Sequence, residues 1–494
     1  MNFLFVSISM LSLANALFAA SPAESSEAPH GSEILVGWAS TSITPEKPVA
    51  LTGQHRVRIS KYVNDPVTAT VLAIESKDGE SAKDQAIMVS CDLVAIRKGI
   101  QDKIREHVKP RLPGFDIKKL LLNATHTHTG PTLVEGQYPP QSAEVITPTE
   151  YVDFMAERIS DAIVEAWESR KPAGLSWAFG HAVVGHNRRA VYFDGSAKMY
   201  GVTNTEDFKY IEGYQDHSVD MLFFWDKEQK LKGLVINIAC PSQVTEHESY
   251  VSADFWYEVR IELRKRYSED LFIFPQCSAA GDQSPHFLLS KRSEESMRKR
   301  KGVSEREEIG LRVANAVDYA FPVARNDIQK SVVFKHVVKD INLPARLATK
   351  AEADSAKADY DRLMAIPESK RTDRDFIHLR HSRTIMKRYE NQGEHPLYPM
   401  ELHVIRLGDI AIATNPFELY LDYGLRIEAR SKAMQTFLVQ LACDSGLYLP
   451  TDKAIEGGSY SATILTTPVG PEGGQELVDR TVETISEIWG GKAE

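Results

Sequence analysis

The chain has 494 residues, 43% of them apolar and 26% charged, a length and balance that support a sizeable core and exclude a disordered chain. Its formal charge of -10 argues against a nucleic-acid partner, because phosphate binding needs a basic surface. Four cysteines, Cys91, Cys240, Cys277 and Cys443, are too scattered for a disulfide framework or a zinc knuckle and read as buried free thiols at strand ends.

The chain opens with a short apolar run from Phe3 to Leu13, followed by Ala14-Asn15-Ala16. This pattern predicts a signal peptide over residues 1–20, cleaved between 16 and 23, with a disordered leader over 21–32. The expected location is therefore secreted or periplasmic. No later stretch approaches the roughly 18 apolar residues of a membrane span. From Ile34, strand-like and helix-like segments alternate. Strands are expected over 34–39, 67–75, 86–93, 118–123, 221–225, 234–239, 271–276, 331–338, 402–412 and 436–442. Helices are expected over 98–109, 150–168, 255–268, 305–319 and 475–488. Thr147 with Glu150, and Ser304 with Glu307, supply helix-start signals. Residues 345–396 are rich in Ala, Lys, Glu and Arg and predict a helical hairpin inserted between strands, either a lid or a solvated structural insertion. The expected fold class is α/β, with mixed β-sheet layers sandwiched by helices, because the early strands lie too close together for purely parallel pairing.

The segment Asn123-Ala124-Thr125-His126-Thr127-His128-Thr129-Gly130-Pro131 follows the apolar run Leu120-Leu121-Leu122. In an extended backbone alternate side chains share a face, so His126 and His128 can enter one pocket, a geometry for a metal ligand with a catalytic neighbour. Five expected strands end alike, breaking into polar loops that begin near 123, 239, 277, 415 and 443. Sites in α/β sheets collect at the carboxyl ends of strands, so these loops predict one composite site. Histidine and carboxylate donors suit zinc, and a zinc-bound water is acidified towards neutrality. Ser284 lies in Gly281-Asp282-Gln283-Ser284-Pro285, which is not a nucleophile elbow, so a positioning role is expected of it. His186 and His286 are expected to be pocket lining at most.

The nine-residue segment 123–131 resembles the NATHTHSGP element of the neutral (non-lysosomal) ceramidases. Other stretches resemble further elements of that family: Gly281-Asp282-Gln283-Ser284-Pro285, Thr245-Glu246-His247 ahead of Ser252-Ala253-Asp254, Asn187-Arg188, Pro416-Phe417-Glu418, and Tyr448 with Tyr460. The resemblance covers roughly residues 34 to 490. It implies a zinc hydrolase domain over 33–494, with His126, His247, Glu418 and Tyr448 as metal ligands. His128 would be the proton-transferring histidine, and Arg188 and Tyr460 would hold the scissile carbonyl of an amide attacked by a metal-activated water. The family's C-terminal immunoglobulin-like domain is not expected here. A small-molecule or lipid-like N-acyl substrate is expected. The alternatives are a zinc esterase or lyase acting on a carbohydrate or other polar substrate, and a non-catalytic binding protein. Oligomeric state and physiological substrate are outside what the sequence tells.

Overall fold

The computed structural model describes residues 31–490 except Glu80 and His395, and the expected signal peptide and most of the expected leader lie outside these residues. The first strands follow from alternating burial. In β2 (Thr68–Asp78), Ala69, Val71 and Ala73 join one apolar cluster, whereas Leu72 and Ile74 join another. Such a period of two buries both faces of a sheet.

The larger sheet runs β8-β7-β6-β5-β1-β2-β3-β4. Its other strands are β1 (Ser32–Ser42), β3 (Ser81–Cys91), β4 (Leu120–Ala124), β5 (Lys171–His181), β6 (Ser218–Trp225), β7 (Leu231–Ile238) and β8 (Phe272–Cys277). A short segment, Ser331–Val332, also pairs with β1. The second sheet runs β9 (Phe334–Pro344), β10 (Leu397–Leu407), β11 (Ile410–Thr414) and β12 (Gln435–Val439). Both sheets are mixed, as expected. Most neighbours are antiparallel, but β3 with β4, β7 with β8, and β11 with β12 are parallel. Each parallel pair is bridged by a helix, respectively α1 (Lys98–Val108), α3 (Phe255–Arg266) and α8 (Leu421–Arg430), because parallel strands need a crossover.

Further helices are α2 (Pro148–Glu168), α4 (Lys291–Lys301), α5 (Glu305–Asn326), α6 (Lys350–Met364), α7 (Asp373–Asn391) and α9 (Pro471–Ile488), besides a short helix at Asp452–Gly457. The sheets face each other through Leu72, Ile74, Met88, Phe224 and Val235 against Ile405, Ile410, Ile412, Phe437 and Val439. Helices α1 and α2 cover one part of the larger sheet's outer face, and α3 and α5 cover another. Helices α8 and α9 cover the second sheet. The layers are thus helix, sheet, sheet, helix.

Both expected helix-start signals are capping boxes in the structure, at Thr147 with Glu150 and at Ser304 with Glu307. The single strand expected over 402–412 is instead the hairpin β10–β11, turned at Gly408 with φ of 60°. The sequence reading omits β5, whose Pro172, Gly174 and Gly180 are poor strand formers. Pairing with β1 on one side and β6 on the other overrides that local preference.

Candidate active site

The polar loops that follow β4, β7, β8, β11 and β12 meet at one end of the two sheets. Backbone hydrogen bonds tie them together: Ala124 N–H donates to Leu441 at 3.3 Å, Gln440 N–H to Cys277 at 3.0 Å, Ser278 N–H to Ile238 at 2.9 Å and Gly281 N–H to Leu419 at 2.7 Å. The approach at Gly281 is close enough that a Cβ there would overlap the Glu418 carbonyl. A cavity of about 1340 Å³ opens on this end.

Strain gathers around it. His126, Tyr200, Leu441, Leu447 and Ser459 all have positive φ, and all line the cavity; each such residue costs about 1 kcal/mol or more and persists only where its surroundings hold it. Strand β4 ends at Ala124, and His126 has a φ of 64°. The two histidines therefore do not reach the pocket as alternate residues of an extended strand. They share it because the left-handed turn at His126 folds the ring back, leaving the two Nε2 atoms 3.3 Å apart. The loop is anchored by Thr127 and Thr129 hydroxyls donating to the Ser252 carbonyl at 2.9 and 3.0 Å, and by Arg58, which donates to the His128 carbonyl at 2.6 Å. Gly53, with φ of 90°, lies flat against the His128 ring, and a Cβ there would overlap it.

Hydrogen bonding assigns the ring protons. His126 Nδ1 donates to the Val94 carbonyl at 2.6 Å, so its Nε2 carries a lone pair. That lone pair faces Glu418 Oε2 at 3.3 Å. Arg188 donates to Gln243 Oε1 at 3.2 Å, which orients the amide so that Gln243 Nε2 donates to His128 Nε2 at 2.8 Å. The remaining His128 proton is then on Nδ1, 3.4 Å from Glu246 Oε2 and without hydrogen-bond alignment. One free imidazole lone pair, on His126 Nε2, thus faces the Glu418 carboxylate, while the His128 Nε2 lone pair accepts from Gln243. Zinc takes these donor types, so the arrangement fits a cation.

Glu418 is buried beside the Arg188 guanidinium, with Arg188 Nη2 4.0 Å from its Oε2. Tyr448 lies in register with Glu418 on a short parallel pair, and its hydroxyl accepts from Arg188 at 3.3 Å. Burial and the Glu418 charge push the Tyr448 phenol well up. Arg188 is 2% exposed and also donates to Tyr200 at 3.1 Å and to the Gly281 carbonyl at 2.8 Å. Burial pushes the His128 imidazole down to about 4, with Glu246 opposing. Burial would raise Glu246, but His128 and His286 hold it below the carboxylate range.

Of the expected site residues, His126, His128, Arg188, Glu418 and Tyr448 are brought together. Tyr460 joins them at the cavity wall, its ring edge-on to Tyr448 with centroids 5.7 Å apart. Ser284 is buried and sits 3.2 Å from the Tyr200 hydroxyl, so it braces the residue that braces Arg188. His247 is not brought in. Its side chain is 69% exposed at the rim, with Nε2 3.6 Å from Glu246 Oε1, and its neighbour Glu246 is the one that turns inward. His286 lines the cavity 3.4 Å from Glu246 Oε1, whereas His186 pairs with Gln215 at 3.1 Å. Sequence reasoning omitted Gly53, Tyr200, Gln243 and Glu246. Gln243 and Glu246 lie in the polar loop after β7, and Glu246 also stands in the family-like stretch Thr245-Glu246-His247, where the resemblance selects His247 and not Glu246.

A second donor group, Glu401, His403 and Cys443, lies within 4.8 Å. Its atoms are already partnered: Glu401 is held by Arg105 at 2.6 and 3.0 Å and by His403 at 2.7 Å, and the other His403 nitrogen meets His336 at 2.9 Å. Burial raises the Cys443 thiol, disfavouring the thiolate that would bind a metal. This group reads as a satisfied polar network.

No protein-family model matches the chain, and no curated protein does. Solved structures do. The neutral ceramidase from Pseudomonas aeruginosa is similar with a TM-score of 0.69 at 17% identity, over 94% of this chain and 76% of that one. A ceramidase complexed with C2 is similar with a TM-score of 0.65 at 16% identity over the same shares. The chain therefore has a neutral-ceramidase-like fold.

Proposed function

We propose that the cavity is the active site of a zinc-dependent amide hydrolase acting on an N-acyl compound, ceramide-like or more polar. The observation that carries this is the buried His126 Nε2 lone pair facing the Glu418 carboxylate at 3.3 Å, with Tyr448 in register beside Glu418 and His128 Nε2 3.3 Å from His126 Nε2. In this reading His126, Glu418 and Tyr448 would hold a zinc ion, which would supply an acidified water as nucleophile. Arg188, fixed by Gln243, Gly281 and Tyr200, and Tyr460 orient the scissile carbonyl and meet its developing charge. His128 carries the proton to the leaving amine. Ser284 acts only through Tyr200. The fold shared with ceramidases supports amide chemistry, and a metal pocket with a proton-transfer histidine speaks against a pure binding protein. An extracytoplasmic location rests on the Phe3–Leu13 pattern alone; among the described residues no helix is long and apolar enough to cross a membrane.

Metal analysis of the purified chain should find about one zinc per molecule. His126→Ala should lose it, and His128→Ala should keep it while turnover falls on the order of a hundredfold or more. A screen of fluorescent ceramide beside N-acyl amino acids, aryl esters and acidic oligosaccharides reads the chemistry; full activity after metal removal, or turnover of esters or oligosaccharides without any amide, would reject the proposal.

A further inference from the structure

The hairpin α6–α7 contributes one face of the cavity. Ile377, Arg380, His381 and Thr384 of α7 line it, at the spacing of a single helix face. Arg97, at the start of α1, and His55 line it as well. Among the described residues neither Arg97 nor Arg380 has a carboxylate within 4.0 Å. Both are exposed, whereas the buried or half-buried Arg105, Arg189, Arg260 and Arg306 face Glu401, Glu212, Asp92 and Asp65, and buried Arg58 is held by backbone carbonyls. Asp444, on the same side as Arg97, is occupied as an acceptor by the Lys98 and Ser445 amides at 2.9 and 2.8 Å.

Every charged group that acts on His55 and His381 is a cation or another histidine: Arg380, Arg374 and His378 at His55, and Arg380, His55 and His378 at His381. With burial as the larger cause, both imidazoles are held below their ordinary value, so both act as neutral hydrogen-bonding groups at pH 7. In a chain of formal charge -10, an uncompensated positive cluster at a cavity wall is a place where an anion relieves repulsion between the resident cations. The cluster also adjoins the reaction centre. The His55 ring lies 5.6 Å from His381 and 5.0 Å from Tyr460, which in turn lies 5.7 Å from Tyr448.

We propose that Arg97 and Arg380 form an anion subsite that holds a carboxylate of the substrate, with His55 and His381 as neutral hydrogen-bonding flanks. The inference rests on the amide-hydrolase reading of the same cavity and narrows its substrate to acidic N-acyl compounds. A guanidinium fork suits a carboxylate, and two forks from different elements select a group at a defined distance from the scissile bond.

The test is calorimetric binding of N-octanoylglycine and its uncharged analogue N-octanoylglycinamide to the full chain, with turnover of both measured alongside. The wild type should bind the acid about tenfold or more tightly than the amide, the size of one charge-assisted contact, and the preference should weaken with added salt. Arg97→Gln and Arg380→Gln should each erase most of it, while Arg380→Lys, which keeps the charge without the fork, should retain part. Equal or undetectable binding of both ligands by the wild type overturns the proposal, as does an unchanged preference in both glutamine variants. Preferred binding of the acid without turnover of any amide supports the subsite and rejects the hydrolase reading. Amide turnover without a carboxylate preference rejects the subsite alone.

Discussion

His128 is positioned from four sides: Gly53 beneath its ring, Gln243 on Nε2, Glu246 beyond Nδ1 and Arg58 on its carbonyl. The Gly53 contact has a direct consequence. Gly53→Ala both strains a φ of 90° and pushes the ring away from His126. Zinc content is expected to stay near that of the wild type while turnover falls about a hundredfold, the typical effect of a misplaced catalytic group; wild-type turnover would show that His128 does not need this seat. His247 offers the opposite case. With its side chain 69% exposed, His247→Ala is expected to leave the zinc stoichiometry unchanged, and loss of metal would return His247 to the ligand set. Its neighbour in sequence, Glu246, faces His128 and His286 instead. A one-residue difference of this kind depends on how a polar loop turns, and neither periodicity nor a motif match resolves it.

At the scale of elements, the parallel pairs β3–β4, β7–β8 and β11–β12 each place a polar loop at the same end of the molecule, as the alternation of apolar runs and polar breaks predicts. Where α8 packs against β12, beside Asp220 of β6, the elements also bury acids. Asp220 of β6 accepts from the Gln435 side-chain amide, and burial pushes its carboxyl up to about 7. Burial, with the Asp220 and Asp216 charges, pushes Glu428 of α8 up to about 8. Both groups bind a proton more tightly in the folded chain than in the unfolded one. Their contribution to stability is therefore fully present below the unfolded carboxylate values and is lost as pH rises through about 7 and 8. Asp220→Asn keeps the acceptor for Gln435 and removes the titration. Its thermal midpoint is expected to fall less steeply than the wild type's between about pH 5 and pH 8, and parallel curves would count against Asp220 as a source of the loss. Of the elements that escaped sequence reading, which also include α8, two have local reasons. The strand β5 carries Pro and Gly, and α4, Lys291–Lys301, has no buried residue to give it an apolar period.

For the whole molecule, most strands and helices, the mixed pairing and the existence of a composite loop site were legible from sequence, because burial on one or both faces of an element writes its period into the chain. So was the pairing of His126 with His128, although a left-handed turn and not an extended strand produces it. The family resemblance placed His126, Glu418 and Arg188 in one site, and tertiary structure decided the contacts among them and brought in Gln243, Tyr200 and Glu246. Glu418 reaches His126, Gln243 reaches His128, and Arg188 is locked by Gln243, Gly281 and Tyr200, all across elements distant in the chain. Tertiary structure alone left Arg97 and Arg380 without carboxylates at the cavity wall. The reason is that hydrophobic patterning is a local record of burial, whereas a site is a set of directional contacts between loops whose closeness depends on how the sheets pack.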